Sequence, residues 1–243
     1  MAPTLTIITP AHNSADHLRM LYESLATQTC LDFEWIIADD GSTDYTRRLA
    51  DTLAAQRRIP VRLISLDHVG RCASLAAGYA VAEGELAVCV EPDRFMPDDG
   101  VEAILTAWRG RSGDHCAGVR GPVALASSME PGREKISALR TDLLRRAIIP
   151  QTFPGEREPD HTLIEMQAMD GRTLVETPVP LCITEDRTDG FEVRPSAWRR
   201  FKTSPLTARE ETRIKRNLAH IPLLQKLRHT LALSLIELYL KIK

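Results

Sequence analysis

Short apolar runs alternate with helical periodicity through the first half of the chain. Leu5-Thr6-Ile7-Ile8 gives way to the polar stretch TPAHNSADH, after which Leu18, Leu21, Tyr22 and Leu25 fall on one helical face. The rhythm recurs. Glu34-Trp35-Ile36-Ile37-Ala38 precedes a helix through Leu49 and Leu53, Val61-Arg62-Leu63-Ile64 precedes RCASLAAGYAVAEG, and Glu85 to Val90 precedes MPDDGVEAILTAW. Asn13 or Ser14 is placed to cap the first of these helices and Ser42 or Thr43 the second, and Pro97 and Asp98 stand at the start of the fourth. The second half is less regular. It predicts a strand through Val119 and Val123 to Leu125, a helix from Ile136 to Arg146, and the irregular loop PQTFPGEREPD. A short helix at HTLIEMQAM and a late edge strand over Val179–Ile183 follow.

Strands and helices alternating at this spacing imply an α/β fold, a mostly parallel central sheet with helices on both faces. Ligands of such sheets bind beyond the carboxyl ends of the strands. TPAHN, DDGSTD, DHVGR and EPDR all sit at those ends, so four loops are expected to converge on one mouth.

Composition narrows the partners. The 243 residues carry a formal net charge of -2, which argues against a nucleic-acid footprint. Five scattered cysteines without a CxxC pair read as reduced thiols of a cytoplasmic protein. The amino-terminal residues lack the basic stretch of a signal peptide, and no apolar run is long enough to span a bilayer. Residues 187–208 turn polar and read as a linker or mobile loop. In 209–243, Leu224, Leu227, Leu231, Leu235 and Leu238 recur at helical spacing among eight basic and three acidic residues. Such a helix can pack on the catalytic domain or a second copy, or lie on the inner face of an anionic membrane.

Several loop residues have chemistry to offer. Asp39, Asp40 and Asp44 follow a strand and open a helix, where acids can accept hydrogen bonds from a base or from ribose hydroxyls. The same residue types also make an ordinary turn and cap. Thr9, His12 and Asn13 end the first strand. Arg71 starts the third helix, facing a base or phosphate or simply solvent. Glu91-Pro92-Asp93 sets carboxylates at i and i+2. Mg²⁺ or Mn²⁺ takes one or two such groups together with a substrate phosphate; solvated punctuation is the alternative.

Taken together, TLTIITPAHNSADHLRMLYESLATQTCLDFEWIIADDGSTDYT resembles the amino-terminal signature of family 2 glycosyltransferases with the GT-A fold. That signature runs T/S-x-x-x-P-x-x-N, S-L-x-x-Q-T, then E-x-I-x-x-D-D-G-S-T-D-x-T, matched here by Thr6 to Asn13, Ser24 to Thr29 and Glu34 to Thr46. Gly70 to Glu85 is similar to a further family stretch, with His68 and Ala76 where Asn is usual, and Glu91 stands where the family's Asp-x-Asp begins. The resemblance covers residues 4–110 well and the rest loosely.

The resemblance implies a Rossmann-like GT-A domain over 1–186, with a nucleotide-sugar half (1–110) and an acceptor half (111–186), followed by the linker and the C-terminal helical tail. It implies an inverting enzyme that moves a sugar from a nucleoside-diphosphate sugar, UDP-linked foremost, to a glycan or lipid-linked acceptor in polysaccharide or cell-envelope biosynthesis. Thr9, Pro10, His12 and Asn13 would line the nucleotide cleft, Asp39 and Asp40 would hold base and ribose, and Arg71 would lie near the base. Asp93 would ligate Mn²⁺ or Mg²⁺, with Glu91 facing ribose or ion. An inverting transfer also needs a carboxylate to take the acceptor's proton. FPGEREPDHTL resembles the family region that supplies it, which nominates Asp160, with Glu158 second. Two rivals remain at this level: a catalytically impaired member that binds nucleotide or partners, and a nucleotidyltransferase on a similar sheet. The second would want a Gly- and Lys/Arg-rich loop after the first strand, where this chain has TPAHNSADH.

Overall fold

The computed structural model describes residues 2–113, 115–147 and 167–184. The loop holding Glu158 and Asp160, the linker 187–208 and the tail 209–243 lie outside the described residues.

The alternation folds as its periodicities dictate. Strands β1 (Leu5–Ala11), β2 (Phe33–Asp40), β3 (Val61–Leu66) and β4 (Leu86–Cys89) are joined through helices α1 (Ala15–Ala26), α2 (Thr46–Ala55) and α3 (Arg71–Val81). These strands lie in the order β3-β2-β1-β4 and are all parallel. After β4 come a two-residue strand β5 (Arg94–Phe95) and α4 (Gly100–Arg109). The chain continues through β6 (Cys116–Leu125), β7 (Pro131–Arg140), the short helix α5 (Thr141–Leu144), β8 (Thr173–Glu176) and β9 (Cys182–Thr184). They extend the same sheet, β7 entering antiparallel between β4 and β6, while β8 and β9 both run parallel to β6.

Both faces are covered, as expected for a buried parallel sheet. Ile7, Trp35 and Val88 pack with α1, α2 and α4 on one side, and Ile8, Ile36 and Cys89 with α3 and α5 on the other. Neighbouring strand residues thus enter different clusters, which explains the near-continuous burial of β1 and β2. Helix α3 sits close to the sheet at Gly78, where an added Cβ would meet Ile8 Cγ2 at 2.6 Å.

Two expectations from the second half are corrected. The helix expected from Ile136 to Arg146 is instead the end of β7, and only Thr141–Leu144 is helical. Ile136, Leu139 and Leu143 mimic a helical repeat because β7 is covered on both faces: Ile136 and Ala138 pack into one cluster and Leu139 into the other. Two-sided burial in a strand erases the period-two signal. The late strand begins at Cys182 and is not an edge, since β5 pairs along its far side through Arg94↔Thr184 and Phe95↔Ile183.

Candidate functional site

At the carboxyl ends of β1, β2, β3 and β4 the four loops are bonded into one structure. Asn13, at φ 50, turns its side chain towards the loop after β2, and Oδ1 accepts from Thr43 N at 2.9 Å and Asp44 N at 3.2 Å. Its own N–H donates to Ser42 Oγ at 3.0 Å. Asn13 therefore holds the second loop rather than capping α1, and the residue before α1, Ser14, makes no side-chain cap bond. The expected cap of α2 also changes hands. Asp44 Oδ1 accepts from Thr46 N at 2.9 Å, and neither Ser42 nor Thr43 takes that role. Burial works to raise the Asp44 carboxyl, but hydrogen bonds from Thr46 and Ala15 outweigh it and hold it below the usual carboxylate value.

The two adjacent aspartates separate in role. Asp40 is 4% exposed, and its carboxylate accepts from Val69 N at 2.7 Å and Gly70 N at 2.8 Å, anchoring the loop that starts α3. Gly41 makes the approach feasible. Its φ is +67, and a Cβ there would meet His68 N at 2.8 Å. Asp39 is equally buried, and among the described residues its Oδ1 accepts a longer bond from Ser42 N at 3.3 Å. Of the pair, Asp39 is the carboxylate with capacity to spare.

His12 and His68 close over this point. Both place Nδ1 against the Asp40 carbonyl oxygen, at 2.8 and 3.2 Å, and their ring centroids lie 4.5 Å apart. A carbonyl only accepts, so each Nδ1 donates. That tautomer leaves His12 Nε2 to accept from the Asn13 amide at 3.1 Å. Sequence reasoning counted His68 only as a departure from the family pattern. Its position in one of the four crevice loops was the available signal.

Thr9 and Pro10 are buried within β1, and the Thr9 hydroxyl accepts from Trp35 Nε1 at 2.9 Å.

At the end of β4, Val90 N donates to Ile8 O at 3.0 Å, and Arg94 N donates to Glu91 O at 3.1 Å. The second bond makes Glu91 to Arg94 a four-residue turn with Pro92 in its second position, which favours proline. Pro92 therefore shapes the corner. Arg71 turns to the end of β4. Its guanidinium meets the Glu91 carboxylate in an ion pair. Arg94 turns the other way, with Nη2 2.6 Å from Glu134 Oε1 on β7. Burial opposes the Arg94 charge, but Glu134, with Glu91 adding less, more than offsets it and raises its pKa. The same burial pushes the Cys182 thiol up to about 12, so it stays protonated and unreactive.

The oxygen donors at this corner, Glu91 and Asp93, suit a hard divalent cation that completes its shell from donor phosphate and water. Among the described residues no group of three or more His, Cys, Asp or Glu is placed to hold a metal ion. No helix among them is long and apolar enough to cross a membrane.

Comparison with known proteins bears on the whole crevice. Succinoglycan biosynthesis protein ExoA of Rhizobium meliloti is 35% identical over 104 residues, 41% of this chain and 31% of that one. A chondroitin synthase of Pasteurella multocida is 30% identical over 103 residues, 42% of this chain and 11% of that one. The chain thus spans a third or less of either relative. Two solved structures share the fold. S. aureus TarS 1–349 in complex with UDP-GlcNAc superposes with a TM-score of 0.62 at 18% identity, over 89% of this chain and 70% of that one. The mannosyltransferase PcManGT from Pyrobaculum calidifontis, in complex with GDP-Man and Mn²⁺, gives 0.60 at 18%, over 82% and 60%. The family model described as Glycosyl transferase family 2 matches residues 6–152, running through all four crevice loops and on across β6 and β7. A match of that extent, on a sheet of GT-A form, makes this chain a member of glycosyltransferase family 2.

Proposed function

We propose that the chain transfers a sugar from a nucleoside-diphosphate donor, UDP-linked foremost, to a glycan or lipid-linked acceptor with inversion at the transferred carbon. The observation that carries this reading is the bonding of the loops after β1, β2 and β3 by Asn13, Asp40 and Asp44, with the loop after β4 joined to them through the Arg71–Glu91 ion pair. Relatives named for chondroitin and succinoglycan synthesis favour a polysaccharide product.

In this scheme the nucleoside enters between the first three loops. Asp39 accepts from the base or ribose, with His12 and Asn13 beside it. Asp40 acts one step back, by holding Val69 and Gly70. The diphosphate lies at the Glu91–Asp93 corner. Asp93, with Glu91 beside it, would hold a divalent cation, which would supply positive charge at the departing diphosphate. Asp160, with Glu158 as the alternative, takes the proton from the acceptor hydroxyl. The order of events is deprotonation and attack on the anomeric carbon from one face, with the nucleoside diphosphate leaving from the other.

A thermal-shift panel of nucleotide-sugars, with and without Mn²⁺, tests the reading. We expect one UDP-sugar to raise the melting temperature more with Mn²⁺ than without, and no response across the panel contradicts a donor site. Asp160→Asn is expected to lower turnover by about 10²-fold or more at unchanged donor affinity. Retained turnover removes Asp160 from the role and passes it to Glu158.

A further inference from the structure

A cleft of about 500 Å³ opens at the amino end of β4, the opposite end of the strands from the crevice. Arg140, the last residue of β7, pairs with Leu86 at the start of β4. Just beyond, Thr141 N donates to Glu85 O at 2.9 Å and Thr141 Oγ1 to Gly84 O at 2.7 Å. Two segments are thus tied side by side, one bearing Glu85 and the other Arg140, Asp142 and Arg145. The end of α4 supplies the remaining wall. Trp108 is buried there, and the Arg111 guanidinium covers its ring, 3.8 Å from the centroid.

Three guanidiniums and two carboxylates line this cleft. Arg140 grips Asp142 through Nε and Nη2, at 3.0 and 3.1 Å. Arg111 donates from Nη1 to Trp108 O at 2.8 Å and reaches Glu85 at 3.4 Å. Arg145 meets no carboxylate among the described residues. Its Nε donates to Tyr79 O at 3.0 Å and its Nη2 to Ala82 O, at the carboxyl end of α3. Helix-end carbonyls offset only about half a unit charge, so Arg145 is fixed in place without being neutralised. Nη1 of Arg140 and Nη1 of Arg145 make no hydrogen bond among the described residues.

Guanidiniums held in position with N–H groups unspent suit an oxyanion. The volume lies in the range of small-ligand sites and exceeds what a bare ion fills. Glu85 and Asp142 keep 52% and 42% of their side chains exposed, so their carboxylates can also accept from ligand hydroxyls. We propose that this cleft is a second ligand site, separate from the donor crevice, which takes a sugar bearing an oxyanion, with Arg140 and Arg145 on the charged group. A phosphate ester and a carboxylate share that chemistry.

Calorimetry on the full chain tests the site without reference to turnover, using glucose 1-phosphate, glucuronate and uncharged glucose as probes. At least one acidic probe should bind, glucose should not, and the affinity should fall as salt is raised. Which acidic probe binds more tightly tells phosphate from carboxylate. Arg145→Gln is expected to weaken binding by about tenfold or more. Should Arg145→Gln fold poorly through its lost hold on α3, Arg140→Gln, which gives up only a half-exposed pair, carries the same expectation. Arg71→Gln, which removes the guanidinium of the crevice, should bind as wild type does. No heat with either acidic probe, equal affinity for glucose, or unchanged affinity in the folded Arg140 and Arg145 variants overturns the site. Affinity lost in Arg71→Gln instead places the probe in the crevice and overturns it as well.

Discussion

Replacing Asp93 by Asn is expected to lower turnover at saturating donor by about 10²–10³-fold, the cost of losing one preorganised charge-stabilising element at a departing group. The reason lies in the turn. Val90 is pinned to β1 by its bond to Ile8 O, and Arg94 N closes back on Glu91 O at 3.1 Å, so Asp93 projects from a short fixed segment. Asparagine keeps the volume and turn preference of aspartate and removes only the charge. Stability should therefore change little, and a thermal melt separates a chemical defect from a folding one. The informative measurement is steady-state turnover across a Mn²⁺ titration. A variant that matches wild type at every Mn²⁺ concentration contradicts the role given to Asp93. One that recovers only at high Mn²⁺ supports a weakened ion site.

The largest expected loss of stability lies at the other end of the strands. Glu34 is 4% exposed, at the start of β2. Its Oε1 accepts from Thr6 Oγ1 at 2.8 Å and from Glu83 N at 2.6 Å, and its Oε2 from Arg62 Nη1 at 3.0 Å. Thr6 in turn accepts from Gly84 N at 2.9 Å, and the Gly84 carbonyl accepts from Thr141 Oγ1 at 2.7 Å. One buried carboxylate thus joins β1, β2, β3 and the approach to β4. Glu34→Ala leaves the Thr6 hydroxyl and the Glu83 N–H without their acceptor, and should cost about 3 kcal/mol. The urea midpoint should fall by roughly 1 M or more. Arg62→Ala is the control. Arg62 keeps 40% of its side chain exposed, so solvent screens its share and the loss should stay within about 1 kcal/mol. Equal losses in the two variants would mean that the ion pair, rather than the hydrogen bonds to Thr6 and Glu83, holds this end together. Since the network lies away from the crevice, Glu34→Ala protein that does fold should keep its donor affinity.

These two carboxylates also mark where reading the chain succeeds and where it stops. Leu18, Leu21, Tyr22 and Leu25 recur at helical spacing and are the buried face of α1. The apolar runs before TPAHN, DDGSTD, DHVGR and EPDR are four parallel strands, and the loops expected to meet at their carboxyl ends are bonded to one another. Those are local properties, written in spacing and side-chain type. The same logic misread residues 136–140, because a strand covered on both faces has no period of two to find.

Roles within the mouth depend on partners distant in sequence. Asp39 and Asp40 are adjacent and chemically identical, yet Asp40 is committed because residues 29 and 30 positions later supply its donors, Val69 N and Gly70 N. Glu91 is likewise engaged by Arg71, which lies 20 residues earlier. The sequence alone determined the alternation, the parallel sheet, the family and the set of acidic residues at the strand ends. Only the tertiary structure decided which of those acids are already engaged, because a carboxylate's availability depends on the N–H groups and cations that the folded chain brings to it.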